Sequence, residues 1–67
     1  MNIDIRKSII NNFKDLTKDD IYESIVEAIK DHDDVTLPGL GVFFELLWHG
    51  SSKQKKEEII DIISSSL

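Results

Sequence analysis

The sequence predicts an all-α protein, a small bundle of four short helices. Three observations carry that expectation. Apolar residues fall at the spacings of one helical face in successive segments. Residues that start or stop helices separate those segments: Thr17, Pro38, Gly50 and Ser51 or Ser52. The chain has 67 residues, which is one domain (1–67), without an internal repeat or a linker.

The first helix is expected over about residues 3 to 13. Ile3, Ile5, Ile9, Ile10 and Phe13 supply its apolar side, with Leu16 just beyond, and Asn2 or Asp4 could cap it. The second has the clearest start. Thr17 precedes Lys18-Asp19-Asp20, so its hydroxyl can accept from a backbone N–H of the first turn. Asp19 and Asp20 place negative charge at the positive end of the helix dipole. Leu16 and Ile21 have the spacing of a hydrophobic staple. Ile21, Tyr22, Ile25, Val26, Ala28 and Ile29 then make one broad stripe, and Lys30 and His32 fall in the last turn, so this helix is expected over 18 to 32.

Val35-Thr36-Leu37 favours extended backbone, and Pro38-Gly39-Leu40-Gly41 punctuates the chain, its glycines suited to a sharp turn and close packing against the second helix. Residues 42–48 are ambiguous. As a helix, Leu40, Phe43, Phe44, Leu47 and Trp48 follow the i, i+3, i+4, i+7, i+8 pattern. As a strand they would form a buried run with Glu45 inside, giving an α+β alternative. Pro38 near the start and Gly50 past the end favour helix. Ser51 or Ser52 can cap a last helix bearing Ile59, Ile60, Ile62, Ile63 and Leu67, which is expected to fray in Ser64-Ser65-Ser66. The expected core centres on Phe43, Phe44, Leu47 and Trp48.

A domain of this size buries only about 60% of its unfolded surface, so the core is thin and a partner can add stability by mass action. The net charge of −5 opposes non-specific attraction to nucleic acid or to anionic membrane. With no cysteine, disulfides, thiolate metal sites and a cysteine nucleophile are excluded. The opening residues do not read as a signal peptide, and no run approaches the roughly 20 apolar residues of a spanning helix.

Catalytic constellations are not apparent. His32 and His49 have no metal-binding spacing, and Ser51 and Ser52 follow His49 without a nucleophile elbow. The series Asp19, Asp20, Glu23, Glu27, Asp31, Asp33 and Asp34 reads as a solvated face. Lys53, Lys55 and Lys56 crowd the start of the last helix, where the dipole disfavours positive charge. They could hold a phosphate or an acidic partner, or Glu57 and Glu58 could neutralise them. No catalytic residue, cofactor or metal ligand is expected.

The segment Leu37-Pro-Gly-Leu-Gly-Val-Phe-Phe-Glu-Leu-Leu-Trp48 resembles the Leu-Pro-Gly-Leu-Gly-Val-x-Phe-Glu-x-x-Trp core of the type I small acid-soluble spore proteins. Leu37, Pro38, Gly39, Leu40, Gly41, Phe44, Glu45 and Trp48 carry the match. Met1-Asn2-Ile3-Asp4-Ile5-Arg6 is similar to that family's opening, and Ile25-Val26-Glu27-Ala28-Ile29 to its Ile-Val-Asp-Ala-Ile segment. The resemblance implies a non-catalytic protein made during sporulation, resident in the spore core and supporting revival and outgrowth. It transfers no ligand or catalytic residue. The partners it leaves open are a second copy (a homodimer), another protein, or DNA; no membrane and no small-molecule substrate is expected.

A partial resemblance to the histone-like HU family rests on Leu16-Thr-Lys-Asp-Asp20 and Val35-x-Leu-x-Gly-Leu-Gly-x-Phe43. It implies a DNA-binding module with 42–48 as a strand. Read from the charges themselves, a nucleic-acid-binding module would work through Lys53, Lys55 and Lys56 with Arg6 or Lys7. The basic DNA-embracing arm of that family is missing here, and the net charge has the wrong sign.

Overall fold

Thr17 sets the clearest boundary in the chain. In the computed structural model, which describes residues 4–67, the Asp20 amide donates to the Thr17 hydroxyl at 3.1 Å and the Thr17 amide donates back to the Asp20 carboxylate at 3.3 Å. This reciprocal capping box opens helix α2, Lys18–Asp31. Helix α1, Ile5–Phe13, is capped by Asp4, whose carboxylate accepts from the Lys7 amide; the alternative Asn2 cap lies outside the described residues. Helix α3 spans Leu37–His49 and helix α4 spans Lys53–Ser66, the latter opened by Ser52. The described residues are therefore all-α, as the spacing of their apolar residues predicts.

Four local expectations are corrected. Helix α2 stops one residue early because His32 leaves it at φ 50°, a left-handed conformation that ends helices. Val35-Thr36-Leu37 is not extended. Asp33 accepts from the Val35 amide and Thr36 donates through its hydroxyl to the Asp33 carbonyl, closing a 3₁₀ turn at Asp34–Thr36. That turn reverses the chain, so Gly39 and Gly41 are not needed for it and lie inside α3, and residues 42–48 are helix rather than strand. The serine run at 64–66 does not fray. Ser65 donates to the Asp61 carbonyl and Ser66 to the Ile62 carbonyl, so the hydroxyls bond back onto the helix that carries them.

The core is also displaced from its expected centre. Among the described residues the buried apolar side chains are Val42 and Ile59, whereas Phe44 is 41% and Leu47 50% exposed. Phe43 and Trp48 are half-buried. The reason is that α3 is apolar around most of its circumference, so its pattern does not say which side the other helices choose. Helices α1 and α2 choose the Val42–Phe43 side, where the Phe13 and Phe43 rings meet edge to face at 4.9 Å. Thr36 also donates to the Ala28 carbonyl at 3.3 Å, tying the turn back to α2. The Cα radius of gyration is 13.3 Å, against about 11 Å for a compact domain of this length. The bundle is open, with a wide apolar groove of about 300 Å³ between α1, α2 and α3.

Candidate functional site

The three lysines proposed as an anion site sit together at the start of α4, and local partners engage two of them. The Lys55 ammonium pairs with Glu58 one turn on at 2.7 Å. Lys56 lies over the Trp48 ring, 5.3 Å from its centroid, where the ring's negative face attracts a cation. Lys53 lies in the same shallow cleft as Lys56, Trp48 and the carboxylates of Glu57 and Asp61. The Lys55 amide already donates to the Ser52 hydroxyl at 3.1 Å. The expected neutralising partners are thus in place: Glu58 by a direct ion pair, Glu57 by proximity.

The serines at 51 and 52 are spent on local structure as well. Ser51 donates to the Leu47 carbonyl, and Ser52 caps α4, so both hydroxyls beside His49 are engaged in helix ends. Among the described residues no group of three His, Cys, Asp or Glu side chains is placed to hold a metal ion. No helix there is long and apolar enough to cross a membrane.

One functional-looking contact escaped the sequence reading. The Arg6 Nε lies 2.9 Å from each oxygen of the Glu45 carboxylate, across 39 residues of sequence. It joins the first turn of α1 to the middle of α3. The hydrogen bond from Arg6 holds the Glu45 carboxyl below the ordinary carboxylate range, and the same bond raises the Arg6 guanidinium. Both groups face solvent, so this pair orients helices more than it stabilises them. The signal that could have found it is that Arg6 and Glu45 sit in two of the quoted motif segments with opposite charge. Arg6 is thus engaged through its Nε, with the rest of its side chain largely exposed.

The residues Leu37 to Trp48 share one helix, but they do not share one environment. Leu37, Pro38, Gly41 and Phe44 are exposed, while Gly39, Leu40, Glu45 and Trp48 are half-buried. Phe44 and Trp48 lie with ring centroids 6.0 Å apart and tilted by 30°. They border Ile60 of α4 in a shallow apolar cleft. Glycine is not demanded at 39 or 41 by this chain alone: a Cβ added at either meets nothing within 4 Å.

The family model for Small, acid-soluble spore protein I matches residues 3–67. The chain belongs to the small, acid-soluble spore protein I family. Over all 67 residues it is 37% identical to the Small, acid-soluble spore protein I of Geobacillus sp. (strain WCH70), covering 94% of that protein. It is 33% identical to the proteins of the same name from Bacillus cereus (strain AH187) and Bacillus anthracis (strain CDC 684 / NRRL 3495), covering 97% of each. No solved structure matches the chain. As a member of the small, acid-soluble spore protein I family the chain is a spore protein, and in it Leu37 to Trp48 form a nearly all-apolar helix, packed on the Val42–Phe43 side and exposed at Leu37, Phe44 and Leu47.

Proposed function

We propose that this chain is a non-catalytic protein of the spore core, made during sporulation, that supports spore revival and outgrowth by engaging a macromolecular partner through apolar surface. The observation that carries this reading is the exposure of α3. A helix that is apolar all round belongs in an interior, yet here Leu37, Phe44, Leu46 and Leu47 are each more than two-fifths exposed. Thr17, Asp20, Ser52, Arg6, Glu45, Lys55 and Glu58 are occupied by caps and ion pairs. A surface built for contact and polar groups built for local structure support association over turnover.

Mass spectrometry of the acid-soluble extract of purified spores, set against growing cells, tests the location. The chain is expected in the spore extract alone; equal abundance in growing cells overturns the reading. Spores lacking the chain are expected to form normally and to resume growth late. Unchanged outgrowth removes the revival role.

A further inference from the structure

The groove between α1, α2 and α3 has walls of one chemistry and a lip of another. Eight of its nine lining residues are apolar, and the ninth is Lys14, exposed at the C-cap of α1. Val42, 5% exposed, is among the apolar ones. The Phe13 and Phe43 rings, edge to face at 4.9 Å, line it together, and Ile21 and Ile25 line it from α2. None of the lining residues comes from α4, so the helix that borders Phe44 and Trp48 leaves this groove open. The framing helices are tied together by bonds outside it. Arg6 bridges α1 to α3 through Glu45, and Thr36 bonds back to Ala28 of α2. The groove is therefore held open by contacts that its own lining does not supply.

We propose that this groove binds a free single-chain amphiphile with an anionic head, such as a medium-chain fatty acid, its tail along the apolar walls and its carboxylate at Lys14. This goes beyond the proposed function, which concerns the exposed side of α3, and does not rest on it. The walls choose the tail by elimination. No lining side chain other than Lys14 carries a hydrogen-bonding group. A polar atom placed between these walls lacks a side-chain partner, which costs binding. That excludes a sugar or a nucleotide. It also excludes an extended peptide, whose N–H and C=O groups all need partners. A peptide helix satisfies its own backbone, but at about 10–12 Å across it is too broad to enter a groove of about 300 Å³. An alkyl chain has no polar atom to satisfy.

The size agrees. A dry apolar cavity of about 150 Å³ takes up benzene, and this groove holds about 300 Å³. By the same proportion it has room for an alkyl chain of about eight to ten carbons. Water there meets walls that offer it no hydrogen bond, and displacing such poorly held water by an apolar group gains affinity. Charge selects the head. Lys14 is the one charged lining residue, and it forms no ion pair with another of the described residues. A lysine lays its stem on apolar surface and keeps its ammonium in water, which puts the cation at the lip and not in the wall. The net charge of −5 opposes any general attraction of anions, so binding is expected to depend on Lys14 and on the tail.

The test is an NMR titration of the full chain with octanoate and, separately, with 1-octanol. Each is taken to about 3 mM, since a ligand of about ten heavy atoms is expected to half-saturate near 1 mM or below. Saturable shifts are expected at Ile21, Ile25 and Val42 and not at Phe44 or Leu47. Lys14→Gln is expected to weaken octanoate about five-fold, the size of an exposed ion pair, and to leave 1-octanol unchanged. Ile25→Phe fills the groove from α2 and is expected to weaken both ligands at least about ten-fold, because the volume is gone, while keeping its helical circular dichroism. Should that variant lose helix, Ile10→Phe at the 39% exposed lip takes its place with the same expectation. Absence of saturation with either ligand overturns the proposal, as do shifts spread over Phe44 and Leu47. An equal loss for both ligands in Lys14→Gln, or no loss for octanoate, overturns the anionic head. Co-sedimentation with phosphatidylcholine vesicles without binding of free octanoate moves the ligand to a lipid surface and overturns it too. All of these results leave the spore-extract and outgrowth tests untouched, so failure of the groove and failure of the proposed function are separable.

Discussion

The two sides of α3 have the same kind of residues and opposite fates. On one side Val42 is 5% exposed and Phe43 packs edge to face on Phe13 of α1. On the other, Phe44 and Leu47 remain 41% and 50% exposed. Nothing in their side chains distinguishes the two: valine and phenylalanine inside, phenylalanine and leucine outside. The difference lies in what the capped ends and the 3₁₀ turn at Asp34–Thr36 allow α1 and α2 to reach. An apolar face states a need for cover; the geometry of the rest of the chain decides whether that cover comes from within.

The contrast can be broken most severely from the inside. Val42→Asp places a charge at one of the two buried apolar positions among the described residues, at a cost of ~3 kcal/mol or more, which is comparable with the whole stability of so small a domain. Loss of helical circular dichroism at 25 °C is the expected result. The same change outside, Leu47→Asp, is expected to cost less than ~1 kcal/mol in dilute solution. Equal costs would show that the two sides do not differ as described. Thr17→Ala tests how the inside is built. It removes the hydroxyl that accepts from Asp20 and is expected to lower stability by about 1 kcal/mol, read as an earlier denaturant midpoint with unchanged slope.

Gly41→Ala sharpens the outside. In dilute solution the added methyl meets open space and is expected to raise stability by up to about 1 kcal/mol through helix propensity. A loss instead would mean that something in the single chain already packs against Gly41. The smallest effect lies at the rim. Because the Glu45 carboxyl is held below its ordinary range by Arg6, its contribution is present above the ordinary carboxylate pKa and is lost as pH falls through the lowered value. An NMR titration of the Glu45 carboxyl is expected to shift its midpoint upward in Arg6→Ala. An unmoved midpoint would remove the bridge.

Much of this was legible in the sequence, for reasons particular residues supply. Thr17 and Asp20 fix a helix start because their geometry is local, three residues apart. Pro38 and Gly50 bracket α3 for the same reason. What was not legible depends on elements meeting in space. The core was expected at Phe43, Phe44, Leu47 and Trp48 because the helical pattern runs through them; Val42 lies off that pattern, and only the approach of α1 and α2 buries it while Phe44 and Leu47 stay exposed. The Asp33–Val35 bond that makes the turn competes with the β preference of Val35 and Thr36 and wins. The serines at 64–66 read as a fraying end because serine competes with helical backbone bonds; here Ser65 and Ser66 spend that capacity on their own helix's carbonyls. For the lysines at 53, 55 and 56, the Lys55–Glu58 pair follows from a spacing of three residues on one helix, whereas the part played by Trp48 required the fold of α4 back on α3.

The Arg6–Glu45 bridge divides the chain into a circuit and a branch. It joins residues 39 apart and so encloses α1, α2 and the first two turns of α3, with the 3₁₀ turn between them. Helix α4 lies outside that enclosure, attached through Ile59 and the Lys56–Trp48 contact. A segment fastened so lightly can open without the rest. Amide hydrogens of α4 are therefore expected to exchange as a separate, faster group, making the protein two cooperative units within a single domain of 67 residues.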